Sequence, residues 1–131
     1  MNILVCGGGY VGASLAAALS KDNIVTIFDT NLDKVNSINK GVSPIYDPLM
    51  NGYLGHFVAI SSIEEINRKI DLAFVCVPTD FSEKLASFDL SNINSCLSLL
   101  EKNNIKNVVI RSTLSFGSSL ELANKYPLLK I

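Results

Sequence analysis

The sequence has few of the residues from which metal and disulfide sites are built. It contains one histidine, His56, and three cysteines, Cys6, Cys76 and Cys96, without C-x-x-C spacing. One histidine cannot supply a zinc site, so we expect no bound metal. An odd, scattered set of cysteines favours a reducing compartment, the cytoplasm, over a fold held by disulfides.

Charge imbalance and long apolar runs are also lacking. The 11 basic and 12 acidic residues leave a formal net charge of -1, so we expect neither nucleic acid nor an anionic membrane surface as a partner. Polar residues interrupt every apolar run before it reaches the length of a membrane span, and residues 1–6 lack the basic segment of a signal peptide. With 131 residues, 48% of them hydrophobic and 18% charged, the chain suits one domain, 1–131, with one core.

Short apolar runs alternate with segments of helical spacing, which is typical of a parallel sheet covered on both faces. The sequence predicts strands at 2–6, 24–28, 57–60, 72–77 and 108–110, and the start of a sixth at 128–131. The first helix should bury one face formed by Val11, Leu15, Ala18 and Leu19. Residues 79–90 are predicted to be a polar loop.

A glycine-rich turn lies between the first predicted strand and the first predicted helix. Residues 7–12 read GGGYVG and match G-x-G-x-x-G. Gly7 permits a tight turn, Gly9 lets the backbone approach a pyrophosphate, and Gly12 lets the helix pack closely on the strand. Unpaired N–H groups at the helix start would then bind the phosphates.

An acidic residue follows at the spacing that a dinucleotide site requires. Asp29 ends the second predicted strand, 22 residues after Gly7. A carboxylate there accepts hydrogen bonds from the adenosine ribose and repels a 2′-phosphate, which favours NAD over NADP. The expected fold is therefore α/β, a Rossmann-type doubly wound, mainly parallel sheet of about six strands with helices on both faces. A structural glycine turn followed by a helix-capping aspartate is the alternative.

Four segments resemble the UDP-glucose/GDP-mannose dehydrogenase family. They are GYVG at 9–12, SPIYDP at 43–48, VPT at 77–79 and RSTL at 111–114, with Gly117 at the family's position. Residues 24–48 are most similar to bacterial UDP-glucose 6-dehydrogenases. Asp80, which replaces a second proline, and the pair Ser115-Phe116, which replaces a proline-containing pair, depart from the family pattern in loops.

The resemblance implies a role for each matching residue. Tyr10 and Val11 would line the pyrophosphate, and Asp29 and Lys34 would lie at the adenosine ribose. Further along the chain, the cofactor would be bordered by Val77, Pro78, Thr79 and Ser112, and by Thr113, which would assist catalysis beside the nicotinamide by holding a water. From the residues alone, Lys34 could equally be a solvated lysine, and each threonine could bond its own backbone.

The resemblance also implies an activity for the longer enzyme. Family members oxidise the C6 alcohol of a nucleotide sugar, here UDP-glucose, to a carboxylate with two NAD, through a thiohemiacetal and thioester on a cysteine. None of the three cysteines has the family's G-x-C-x-P-K-D setting, so we expect the nucleophile, lysine and asparagine to lie beyond Ile131 and this chain to be inactive alone. The full-length enzyme would be a homodimer, and this chain a monomer.

Other functions remain open from the sequence. The sugar could be GDP-mannose or a UDP-N-acetyl sugar. A nucleotide-sensing Rossmann module that regulates another protein would explain the glycine turn and Asp29, but not the segments at 43–48, 77–79 and 112–113. Another two-domain hydroxy-acid or hydroxyacyl dehydrogenase should differ at the strand ends.

Overall fold

Five parallel strands form the main sheet of the computed structural model, which describes residues 1–43, 52–83 and 87–131. Along the chain these strands are β1 (Asn2–Cys6), β2 (Ile24–Phe28), β3 (Phe57–Ile60), β4 (Leu72–Val75) and, after a short hairpin of β5 (Phe81–Ser82) and β6 (Ser87–Phe88), β7 (Val108–Ile110). Their order across the sheet is β3-β2-β1-β4-β7. The Rossmann-type, doubly wound architecture predicted from the sequence is confirmed.

Helices cover both faces of the sheet. Those on one face are α1 (Tyr10–Leu19) and α2 (Leu32–Asn39), and those on the other are α3 (Ser91–Lys102) and α4 (Ser118–Lys125). A 3-10 turn, Ile63–Glu65, follows β3. Alternate side chains of β1 supply both interiors, because Ile3 and Val5 join one cluster of buried residues while Leu4 and Cys6 join the other. Among the described residues, no helix is both long and apolar enough to cross a bilayer.

The connection from β2 through α2 to β3 shows how local sequence determines where a helix begins and ends. Asn31 caps the start of α2, where its side-chain oxygen accepts the N–H of Lys34 at 3.0 Å. The helix ends at Asn39, and Gly41, two residues later, has a φ of +74° that allows the N–H of Val42 to bond the carbonyl of Ser37 at 2.9 Å. The predicted family segment at 43–48 lies outside the described residues, except for Ser43.

The sheet has five strands, so the prediction of about six was wrong. Residues 128–131 do not form a strand, although Lys130 makes a single parallel bridge with Asn107 beside β7. Its N–H bonds the carbonyl of Lys106 at 2.7 Å and its carbonyl accepts the N–H of Val108 at 2.9 Å. One bridging residue is too short a pairing to count as a strand, although an apolar run of this kind resembles one in sequence.

The buried face of α1 is also different from the predicted one. Val11 is 50% exposed and Ala18 is exposed, whereas the helix buries Gly12, Ala13, Ala16 and Ala17 against the sheet. The physical reason is the close approach of α1 to β1, which admits only small side chains. Val11 is therefore turned outwards, while Leu15 and Leu19 lie half-buried beside the alanine face.

Residues 79–90 contain a hairpin instead of an irregular polar loop. β5 and β6 pair antiparallel, with Phe81 opposite Phe88. The two rings pack edge to face with centroids 5.5 Å apart. The hairpin closes through the N–H of Asp89, which bonds the carbonyl of Asp80 at 2.8 Å.

Candidate functional site

The glycine turn at residues 7–12 lies at the carboxyl edge of the sheet, where parallel strands end. Gly7 has a φ of +103°, and a Cβ there would lie 2.6 Å from the carbonyl oxygen of Cys76. A Cβ on Gly12 would lie 1.8 Å from the carbonyl oxygen of Gly7. Both positions therefore require glycine for the fold itself, since no side-chain rearrangement relieves a backbone overlap.

Gly9 differs from these two glycines. A Cβ on Gly9 would meet nothing within 4 Å, and its φ of -78° and ψ of -166° suit any residue. It is the N-cap of α1, whose end has neither a side-chain cap nor an acidic residue in its first turn. The protein thus leaves open space and uncapped, positively polarised N–H groups at one point, which is the arrangement that an anionic group needs.

Asp29 links this turn to the end of β2. Its carboxylate accepts three hydrogen bonds, from the N–H of Gly8 at 2.7 Å, the N–H of Asn31 at 2.9 Å and the ammonium of Lys34 at 2.8 Å. The side chain of Asp29 is only 9% exposed, against 34% for Lys34. In this ion pair the carboxylate of Asp29 is therefore buried, whereas the side chain of Lys34 is partly exposed to solvent.

The carboxylate of Asp29 is held in its charged form. Burial by itself would raise the pKa of Asp29, but the hydrogen bond from Lys34 and the N–H groups of Asn31 and Gly8 together bring that pKa below its ordinary value. An ionised carboxylate can only accept hydrogen bonds. It is suited to ribose hydroxyl groups and unsuited to a second anion.

A cleft of about 420 Å³, here called the carboxyl-edge cleft, opens beside Asp29. Three parts of the chain line it: the glycine turn with the segment after β2, the segment after β4, and one face of α3. Its lining residues are Cys6, Gly7, Phe28, Asp29, Thr30, Asn31, Lys34, Val77, Pro78, Asn92, Ser95, Cys96 and Leu99. The structure therefore brings five predicted site residues, Gly7, Asp29, Lys34, Val77 and Pro78, around one concave surface.

The remaining predicted residues lie outside the lining of this cleft. Tyr10 and Val11 are 73% and 50% exposed at the start of α1, where they border a separate shallow pocket with Arg111. Thr79 is half-buried after β4, and Thr113 is exposed after β7. Their positions at the carboxyl edge agree with the roles that the family resemblance implies, and those roles stay predictions.

Ser112 makes hydrogen bonds within the protein, apart from the cofactor contact that the family resemblance implies. Its hydroxyl donates to the carbonyl of Val77 at 2.7 Å, and its N–H bonds the carbonyl of Val75 at 3.1 Å. These bonds fasten the end of β7 to the end of β4. Ser112 therefore sets the spacing between the two strand ends that carry Thr79 and Thr113.

None of the three cysteines has the environment of a nucleophile. A hydrogen bond with the Cys96 thiol, together with burial, raises the pKa of Cys6 well above its ordinary value. Burial raises the pKa of Cys76 to about 11, although the guanidinium of Arg111 acts in the opposite direction. A catalytic cysteine needs a lowered pKa, and Cys96 is itself buried.

Sequence reasoning missed the wall of the cleft that α3 provides. Asn92, Ser95, Cys96 and Leu99 are spaced by three and four residues, which places them on one helical face. The signal was present, because the polar face formed by Asn92 and Ser95 borders the apolar face of Ile93, Leu97 and Leu100. Nothing in the sequence alone indicates that the polar face borders the end of β2.

Comparisons with known proteins identify the family to which this chain belongs. The profile of the UDP-glucose/GDP-mannose dehydrogenase family, NAD binding domain, matches residues 1–127. The UDP-glucose 6-dehydrogenase of Campylobacter jejuni is 35% identical to this chain, in an alignment that covers 96% of this chain and 34% of that enzyme. The UDP-glucose 6-dehydrogenase of Streptococcus pneumoniae is 32% identical, and the alignment covers 96% of this chain and 33% of that enzyme. A ternary complex of GDP-mannose dehydrogenase from Pseudomonas aeruginosa superposes with a TM-score of 0.81 at 28% identity, over 98% of this chain and 31% of that one.

The chain spans about a third of the length of the curated relatives it matches. Members of the family are NAD-dependent nucleotide-sugar dehydrogenases, and the match covers their amino-terminal part. The family match also favours a dehydrogenase over a regulatory nucleotide sensor. The glycine turn, the ionised Asp29 and the match over 127 residues lead to one assignment: this chain belongs to the UDP-glucose/GDP-mannose dehydrogenase family and carries its NAD-binding domain.

Proposed function

We propose that residues 1–131 form one NAD-binding domain of a longer enzyme that oxidises UDP-glucose at C6. The carboxyl-edge cleft would hold the adenosine of NAD, and the start of α1 would hold the pyrophosphate. The observation that carries this proposal is the contrast between Gly9, where a side chain would project into open space, and Gly12, where it would strike the backbone. A turn that needed glycine only for its own packing has no reason to keep one at Gly9.

The residues present suit NAD better than NADP. Asp29 is buried, ionised and directed by Gly8 and Asn31, so two ribose hydroxyl groups can donate to it. A 2′-phosphate in the same place would meet this negative charge. The ammonium of Lys34 offsets part of this repulsion, since it bonds the carboxylate at 2.8 Å, but the carboxylate is the more deeply buried of the two groups.

NAD supplies the hydride acceptor for oxidation of the sugar alcohol, and this chain supplies its binding site. Thr113 would lie nearest the nicotinamide, since β7 ends at the same edge as β2, three strands away from Asp29. The nucleophilic cysteine, the lysine and the asparagine would come from the part of the enzyme that the relatives have beyond the matched region. The free thiols of this chain support a reducing compartment such as the cytoplasm.

The sugar is proposed from the relatives. Two relatives at 35% and 32% identity are UDP-glucose 6-dehydrogenases, whereas a GDP-mannose 6-dehydrogenase from Pseudomonas syringae is 33% identical over 90% of this chain. We therefore expect the full-length protein to form NADH from UDP-glucose faster than from GDP-mannose or a UDP-N-acetyl sugar. Faster turnover of GDP-mannose would overturn the sugar assignment and leave the cofactor assignment intact.

The cofactor assignment is tested on the 131-residue chain by titration calorimetry with NAD and with NADP. We expect NAD to bind at least ten times more tightly than NADP. We also expect no NADH from UDP-glucose, because the pKa values of Cys6 and Cys76 are raised and Cys96 is buried. NADP affinity equal to NAD affinity would contradict the role of Asp29, and turnover by the chain alone would contradict the proposed location of the nucleophile.

A further inference from the structure

The α3 wall of the carboxyl-edge cleft carries an amide with a fixed orientation. The side-chain nitrogen of Asn92 donates a hydrogen bond to the carbonyl oxygen of Pro78 at 3.1 Å. Both residues line the cleft. A carbonyl oxygen can only accept, so this bond fixes the NH₂ group of Asn92 towards Pro78 and leaves its Oδ1 on the other side of the amide.

The Oδ1 atom of Asn92 accepts no hydrogen bond from the described residues, and the side chain is exposed. The cleft thus has an oriented acceptor at the start of α3. Asn31, the other amide in the lining, offers no equivalent, because its oxygen already accepts the N–H of Lys34 at 3.0 Å. The hydroxyl of Ser95 can rotate to donate or accept, so it cannot distinguish a donor from an acceptor.

We propose that Asn92 is the residue that selects adenine, by accepting a hydrogen bond from the 6-amino group of the base. This inference rests on the proposed function, which places adenosine in the cleft. Adenine and hypoxanthine share their ring system, but the first carries an amino donor at C6 and the second a carbonyl acceptor. A fixed acceptor attracts the first and repels the second. Leu99, two turns further along the same face of α3, supplies an apolar contact that either base can use.

The hydrogen bond from Asn92 to Pro78 is what would allow Asn92 to discriminate between the two bases. Without the bond to Pro78, the amide could turn over and present its NH₂ group to the 6-oxo group of hypoxanthine, so it would accept both bases. Pro78 follows Val77, whose carbonyl oxygen accepts the hydroxyl of Ser112 at 2.7 Å, so the segment that carries the Pro78 carbonyl is tied to the end of β7. An exposed hydrogen bond changes affinity by about 3- to 10-fold, which sets the size of the effect to expect.

The test compares NAD with nicotinamide hypoxanthine dinucleotide by titration calorimetry. We expect wild-type protein to bind NAD about 3- to 10-fold more tightly, and Asn92→Ala to lower this ratio to about one. The ratio is the readout because a general loss of fold or affinity affects both ligands equally. Asn103→Ala is the matched control, since Asn103 caps the end of the same helix, its side chain bonds the carbonyl of Leu99, and it lies outside the cleft lining. It should keep the wild-type ratio.

Two results would overturn the inference while leaving the proposed function standing: equal affinities in the wild-type protein, or an unchanged ratio in Asn92→Ala. Absence of binding by both dinucleotides to folded wild-type protein would instead overturn the proposed function, and the inference with it. Circular dichroism and the melting temperature of each variant establish that the compared proteins are folded.

Discussion

Replacement of Gly9 should separate cofactor binding from folding. Its backbone angles, φ -78° and ψ -166°, are open to any residue, and an added Cβ meets nothing within 4 Å. As an N-cap, alanine lowers the free energy of unfolding by roughly several tenths of a kcal/mol relative to glycine. The lower conformational entropy of the unfolded chain raises it by about 0.4–1 kcal/mol, which offsets this loss. We therefore expect Gly9→Ala and Gly9→Val to melt within about 5 °C of the wild type.

Binding should respond very differently. In the proposed complex the side chain at position 9 occupies the space of the pyrophosphate, which must then withdraw from the N–H groups at the start of α1. Each hydrogen bond to a charged group contributes about 1.5–3 kcal/mol. Loss of two such bonds amounts to about 3–6 kcal/mol, or an affinity lower by a factor of roughly 10² to 10⁴. Valine should lie at the upper end, because its branch is at Cβ.

Gly12→Ala provides the contrast. Its Cβ would lie 1.8 Å from the carbonyl oxygen of Gly7, so the helix or the turn has to move, and we expect a loss of more than about 4 kcal/mol of stability. Calorimetry with NAD and thermal melts on all three variants decide the matter. A folded Gly9→Val protein with wild-type NAD affinity would show that this turn does not bind the pyrophosphate.

Three further outcomes follow from the charges around the site. Asp29→Asn should reduce the preference for NAD over NADP at least tenfold, measured as the ratio of the two dissociation constants. The pKa of Asp29 is lowered in the folded state, so its contribution to stability is present above about pH 4 and is lost as the pH falls through the folded-state pKa. In urea unfolding measured over a pH series, Asp29→Asn should therefore reduce the loss of stability in this acid range. Cys76, with a pKa of about 11, is roughly one part in a thousand thiolate at pH 8, so it should react with iodoacetamide far more slowly in folded than in urea-unfolded protein, and equal rates would contradict its burial.

The parts of the site that could be predicted from sequence are those fixed by short-range geometry. A glycine turn between a strand and a helix, and an acid at the end of the next strand, have positions that follow from the chain path itself. The three hydrogen bonds to Asp29 fall on residues within 21 positions of it, two of them within five. Such a motif needs no knowledge of how distant elements pack.

Features that depend on packing were predicted less well. The apolar periodicity of α1 selects Val11 and Leu15, but the close contact between Gly12 and Gly7 turns the alanine face to the sheet. Hydrophobicity ranks valine and leucine above alanine, whereas the distance between helix and strand decides against them. The α3 wall was missed for a similar reason, because Asn92 reaches the cleft only through the pairing of β1 with β4.

The bond between Asp29 and Gly8 alters how substitutions at the site should be interpreted. The N–H of Gly8 lies in the turn proposed to bind phosphate, and it donates at 2.7 Å to the carboxylate proposed to bind ribose. The two halves of the motif therefore form one bonded unit. Lys34 and Asn31 hold the same carboxylate, so its position is fixed before any ligand arrives. A change at Asp29 therefore disturbs the turn as well as the ribose contact, and a loss of NAD affinity alone would not identify which was responsible. The ratio of NAD to NADP affinity separates them, because both dinucleotides use the same turn and differ only at the 2′ position.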